Sequence, residues 1–141
     1  MSLQRFRGPF NLYSRDLMSG DYRNLIAWQK AKRLALDVYR CTRSFPKDET
    51  YGLSSQMRRA AVSVPSNIAE GKGRHSHKDL VHFLYQARGS LLELETQISI
   101  ARDLEYMDQP AFEILESETE EVGQILNGLI NRFQVLNQKP S

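Results

Sequence analysis

The chain carries three histidines, His75, His77 and His82, and one cysteine, Cys41, the side chains best suited to ligate a metal or to serve as base and nucleophile. A His-x-His pair can hold zinc when cysteine or carboxylate ligands complete the set. Only Asp79 stands near His75 and His77 in sequence, so the pair reads as a solvated helix start. The di-iron sites of helical bundles need Glu-x-x-His on facing helices, and that pattern is absent. Some helical ribonucleases place an arginine four to six positions before a histidine, and none stands there before any of these three. Cys41 has no histidine close to it in sequence, so nucleophilic catalysis finds no partner. Gly71-Lys72-Gly73-Arg74 is glycine-rich and basic, but it follows a predicted helix and lacks the phosphate-loop spacing. No catalytic residue, metal or cofactor is assigned, and the chain is read as a non-enzyme.

Charge carries more information. Residues 1–50 hold ten Lys/Arg against five Asp/Glu, residues 51–90 six against two, and residues 91–136 two against ten. The net charge of +2 therefore conceals a basic first two thirds and a strongly acidic last third. Such asymmetry points to partners of opposite sign, either nucleic acid or another copy of the chain. Lys72, Arg74 and Lys78 gather around His75 and His77 at a predicted helix start, with Arg58 and Arg59 further back. Lysines and arginines beside a helix N-terminus suit phosphate oxygens. These five are the candidate nucleic-acid contacts. The bland alternative is an ordinary charged loop.

The elements that must position these residues are helical. The first helix is expected from Asp21, a good N-cap, to Arg43, with Leu25, Trp28, Ala31, Leu34, Ala35 and Val38 on one face and Pro46 beyond its end. The second spans about Thr50 to Glu70 on a stripe of Leu53, Met57, Ala60, Val64 and Ile68. Pro65 should kink it, and Gly71 should stop it. The third starts at the N-cap Ser76 and ends near Tyr106, with Leu80, Leu84, Ala87, Leu91, Leu94, Ile98 and Ala101 alternating four and three. The fourth has Asp108 as N-cap, Pro110 in its first turn, and a seam of Phe112, Leu115, Thr119, Val122, Leu126, Leu129, Phe133 and Leu136.

These patterns predict an all-α fold, an antiparallel up-and-down four-helix bundle over 21–137. A flexible arm (1–20) precedes it and a tail (138–141) follows. A long three-helix assembly is the alternative. Two features are unusual. Ala60, Ala61, Val62, Val64, Ile68 and Ala69 surround more than one face of the second helix, which suggests a subunit contact. Gly89 lies mid-helix, where glycine costs about 1 kcal/mol against alanine, so close packing by the alanines of the second helix is expected over it. No apolar run reaches the ~20 residues of a membrane span. The single cysteine and the missing secretory core favour the cytoplasm.

Several stretches carry a resemblance. They are Trp28-Gln29-Lys30-Ala31, Phe45-Pro46, Tyr51-Gly52-Leu53, Gln56 with Arg58-Arg59-Ala60, Ser63 with Pro65, Asn67-Ile68-Ala69-Glu70-Gly71, Phe83-Leu84, and Gly89-Ser90-Leu91 with Glu93-Leu94-Glu95. Across residues 22–136 the chain resembles the bacterial four-helix-bundle proteins encoded in intervening sequences of 23S ribosomal RNA genes, the S23 ribosomal proteins. That family is similar to the accessory variability determinant of diversity-generating retroelements, a pentameric barrel that binds nucleic acid and partners a reverse transcriptase. The resemblance implies a non-enzymatic, RNA-associated homo-oligomer, a homopentamer, with a reverse transcriptase as one candidate partner. A protein-interaction scaffold without direct nucleic-acid binding is the competing function.

Overall fold

The computed structural model describes residues 21–138. The expected arm, 1–20, and nearly all of the expected tail lie outside the described residues. Four α-helices follow one another: α1 (Ile26–Thr42), α2 (Leu53–Lys72), α3 (His77–Asp103) and α4 (Gln109–Gln138). Two short 3-10 turns, Tyr22–Asn24 and Lys47–Glu49, precede α1 and α2. No strand occurs among the described residues. Each helix packs on its neighbours in sequence, and α4 closes back on α1. This is an antiparallel up-and-down four-helix bundle, as the alternating seams require.

The seams account for the core. All seven residues of the α3 stripe are buried, as are Phe112, Leu115, Thr119, Val122, Leu126, Leu129 and Phe133 on α4. Leu34 and Val38 on α1 meet Met57, Val64 and Ile68 of α2 in the same cluster. Trp28, Leu53 and Leu136 pack at its margin, partly buried. Removing such apolar surface from water contributes roughly 1.5–3 kcal/mol per large side chain.

The helix ends correct several expectations. Asp21 does cap, but it caps the first 3-10 turn, accepting the Arg23 N–H at 2.9 Å. The chain is extended at Leu25, which is buried, and α1 starts only at Ile26. Pro65 is buried inside α2, which runs through it. Gly71 does not end α2, which continues to Lys72 with Gly73 as its cap. Gly71 is instead a contact glycine: a Cβ there would sit 3.0 Å from Phe83 Cβ and 3.1 Å from Leu80 Cδ1. Ser76 Oγ accepts the Asp79 N–H at 3.1 Å and starts α3 as expected. Asp108 Oδ1 accepts the Ala111 N–H at 2.9 Å and starts α4.

α3 stops three residues before Tyr106. Glu105 takes a left-handed conformation, φ 63°. The Tyr106 N–H reaches Ala101 O and the Glu105 N–H reaches Arg102 O, both at 2.9 Å. This pair of bonds satisfies the last carbonyls of the helix. Gly89 also departs from expectation, because nothing lies within 4 Å of where its Cβ would be. The alanines of α2 do not cover it. Ser90, its neighbour, faces α2 instead and meets Ser63 hydroxyl to hydroxyl at 2.8 Å. The apolar excess of α2 is largely internal: Ala60, Ala61, Val64 and Ile68 are buried between helices, and only Val62 is exposed.

Candidate nucleic-acid interface

The fold distributes the five candidate cations over the two ends of α2. Arg58 and Arg59 lie near its N-terminus, at the α1–α2 corner. Lys72, Arg74 and Lys78 surround its C-terminus, at the α2–α3 corner. The fourteen steps along the helix from Arg58 to Lys72 span about 21 Å at ~1.5 Å per residue. The sequence cluster is therefore two sites.

At the α1–α2 corner, Arg58 is held in place. Its Nε donates to Thr42 Oγ1 at 2.8 Å, and its guanidinium lies 4.9 Å from the centre of the Tyr39 ring. Thr42 in turn donates to Val38 O at 2.8 Å, which ties the arrangement to α1. Arg59 is exposed and lines a shallow groove with Gln56, Ser63, Ser90 and Glu93.

At the α2–α3 corner, Gly71, Lys72, Arg74, His75, Ser76 and His77 line a second groove. Arg74 stacks 4.7 Å from the Phe83 ring centre and reaches Glu70 at 3.6 Å. Both partners are about half exposed, as are Lys30 of α1 and Glu121 of α4, but the 3.6 Å separation here is longer than the 2.9 Å between those two. Among the described residues, Arg59, Lys72 and Lys78 form no ion pair. His77 packs edge-on against Phe133, 5.1 Å between ring centres. His82 Nε2 lies 3.0 Å from Gln86 Nε2. Among the described residues, no group of three His, Cys, Asp or Glu is placed to hold a metal ion. The Cys41 thiol is pushed up by burial and by Asp108, which opposes the thiolate form.

The α1–α4 seam uses its charges differently. Lys30 pairs with Glu121 at 2.9 Å, Arg40 with Asp37 at 2.8 Å, and Lys32 lies over the Trp28 ring at 5.2 Å. Lys30, Lys32 and Arg40 of α1 thus have partners within the chain. Glu118 faces Asp37 across this seam. Burial first, then the hydrogen bond to Asp37 and repulsion from it, push the Glu118 carboxyl up to about 8. The hydrogen bond from Glu118, followed by that from Arg40, holds Asp37 below its usual range. Sequence reading missed this pair, because both residues flank the apolar seams and neither stands out by spacing.

On the α3–α4 side, Glu95, Glu116 and Glu120 line a groove of about 360 Å³ with Ser99, Arg102 and Phe112. Burial, then Glu116 and Glu120, raise Glu95 above the usual carboxylate range. This groove faces solvent with a surplus of negative charge.

No described helix is long and apolar enough to cross a membrane. The family model described as 23S rRNA-intervening sequence protein matches residues 23–128. A 1.70 Å crystal structure from Bacteroides thetaiotaomicron, of a protein with unknown function from the S23 ribosomal protein family, is similar in fold. It has a TM-score of 0.68 at 20% identity and covers 74% of this chain and 98% of that one. No curated protein matches the chain.

Proposed function

We propose that this chain, which belongs to the 23S rRNA-intervening sequence protein family, is a non-enzymatic cytoplasmic protein that binds RNA as a homo-oligomer. The observation that carries the reading is the contrast in charge use. Lys72 and Lys78 at the α2–α3 corner, and Arg59 at the other end of α2, lack ion-pair partners among the described residues. Cations placed this way neutralise phosphates and release counterions on binding. Arg58 and Arg74, held by Thr42 and Phe83, add guanidinium groups of fixed orientation.

Assembly is proposed from complementary surfaces. The acidic α3–α4 groove of one copy and the exposed Lys32 and Arg33 on α1 of the next can join head to tail, and a contact of this kind forms a ring where its rotation closes. Five copies are what the sequence resemblance implies. Leu36, Tyr39 and Val62 stand exposed around an apolar depression across α1 and α2 that is floored by Pro65, which favours a scaffold for another protein as the second reading. A reverse transcriptase is the partner class the resemblance suggests.

A salt series separates the two readings. RNA held by phosphate contacts loses affinity linearly in log–log form as salt rises. Measured by anisotropy on fluorescein-labelled RNA, the first reading expects a steep negative slope. Absence of RNA binding at 50 mM salt would leave the scaffold.

A further inference from the structure

Two surfaces on opposite sides of the bundle match one another. α1 packs on α2 and α3 on α4, while α2 meets α3 and α1 meets α4. The outer face of the first pair therefore looks away from the outer face of the second. On the first face, Leu36 is 45% exposed, Val62 41% and Tyr39 39%, around the depression floored by Pro65. A single exposed apolar side chain needs no explanation, but these three stand together over one hollow of about 360 Å³. The charges around it are of one sign. Lys32 and Arg43 lie four residues before Leu36 and seven after it, on the same row of α1, and both are exposed. From α2, the Arg58 guanidinium lies 4.9 Å from the centre of the Tyr39 ring. Lys32 lines the hollow itself, and among the described residues no carboxylate does.

On the opposite face, Leu92 is 57% exposed. It stands three residues before Glu95 and seven before Ser99, in line with the acidic groove that both of them line. Glu95, Glu116 and Glu120 share that groove with one cation, Arg102, which already lies 4.2 Å from the centre of the Phe112 ring. Each face thus carries an exposed leucine one helical turn from a charge, Leu36 from Lys32 and Leu92 from Glu95. At ~1.5 Å per residue these separations are about 6 and 4.5 Å along the helix, so a single docking can seat the leucine and pair the charges.

A hollow with a basic rim fits an acidic partner that presents an apolar group, and the chain itself carries such a surface. Two different patches on opposite sides leave every copy free to use both at once, which is the condition for a head-to-tail contact. We propose that Leu92 of one copy seats among Leu36, Tyr39 and Val62 of the next, with the glutamates of its groove against Lys32. The inference rests on the homo-oligomer reading above and names the two surfaces that meet. The apolar contact supplies the non-directional part of the attraction, and the charges set the orientation.

The test uses the full chain with Leu36→Asp and Leu92→Asp, each of which spoils one surface and leaves the other whole. Both leucines are exposed, so helical content by circular dichroism should persist; if it falls, Leu36→Ser and Leu92→Ser take their place. In sedimentation at micromolar concentration, the wild type should run at several times the 16.3 kDa chain mass. The first variant sets a carboxylate against the acidic groove and the second puts one into the apolar hollow. Each alone should assemble at least about a hundredfold more weakly and run as a monomer. An equal mixture of the two should form a dimer, because the intact leucine of one fits the intact hollow of the other and the spoiled faces end the chain. Wild-type assembly in either variant would overturn the contact while the homo-oligomer stands, and so would a mixture that stays monomeric. A monomeric wild type would overturn the homo-oligomer reading itself, and the contact with it.

Discussion

The α2–α3 corner and the α1–α4 seam are both rich in charge, yet they use it in opposite ways. Along the seam, Lys30 meets Glu121 and Glu118, its carboxyl pushed up to about 8, faces Asp37, which Arg40 also meets from one turn along α1. At the corner, Lys72 is half-buried and acts on Asp21 only at long range, and Lys78 is exposed; neither forms an ion pair among the described residues. The lesson concerns geometry. A cation on the flank of a helix that packs against an acidic helix is taken up by the fold. Where two helices turn, Arg74 meets Glu70 only loosely at 3.6 Å, and Lys78 is exposed without an ion pair among the described residues. Clustering in sequence does not separate these cases, and the position in the bundle does.

Breaking the frame beneath both regions should give the largest effect. Leu91 is 2% exposed at the centre of α3, and Leu91→Ala should cost roughly 2–5 kcal/mol in chemical denaturation. A loss under about half a kcal/mol would mean that the α3 seam does not carry the core.

Two glycines sharpen the contrast between packed and open surface. Gly71 lies where α2 meets α3 beneath the basic corner, and Gly71→Ala would drive a methyl group against Phe83 Cβ and Leu80. We expect a cost of about 1–3 kcal/mol. Gly89, on α3, has open space around its Cβ position, so Gly89→Ala should stabilise the isolated bundle by up to about 1 kcal/mol. Thermal denaturation at low concentration reads both signs. If Gly89→Ala instead weakens assembly at high concentration, a neighbouring copy approaches α3 at this point.

The seam should also show a pH signature that the corner lacks. Glu118 is raised from 4.5 to about 8 in the folded chain. Below 4.5 the folded and unfolded forms are both protonated there, and this contribution to stability is fully present. As pH rises towards 8, the unfolded chain releases its proton first, and the contribution is lost. Wild-type stability should therefore decline over this window, and Glu118→Gln should flatten the decline. Identical pH profiles for the two proteins in urea denaturation would mean that Glu118 ionises normally.

The sequence made the helical frame legible because its apolar spacing is regular. The seams of α3 and α4, the caps at Ser76 and Asp108, and the order of the bundle all follow from period and local hydrogen bonding. Glycines were harder, since spacing shows a glycine without showing what approaches it. Gly71 looked like a stop and is a contact, while Gly89 looked like a contact and is open. The site was legible only in part. The five cations stand within twenty-one residues of sequence, but an α-helix carries its ends apart, and α2 separates Arg58 from Lys72 by about four turns. The Asp37–Glu118 pair carried no spacing signal, because cross-helix proximity is a property of the assembled bundle.

The most direct test sets one region against the other in RNA affinity. The combined variant Lys72→Gln, Arg74→Gln and Lys78→Gln is measured beside Lys30→Gln, each over a salt series with a single-stranded RNA. The triple variant should bind more weakly across all sequences, and its log–log salt slope should flatten by about 2, at ~0.7 for each phosphate no longer neutralised. Lys30→Gln should match the wild type, because Lys30 is engaged with Glu121. Wild-type affinity and slope in the triple variant, or equal weakening in both variants, would contradict a basic corner built for RNA.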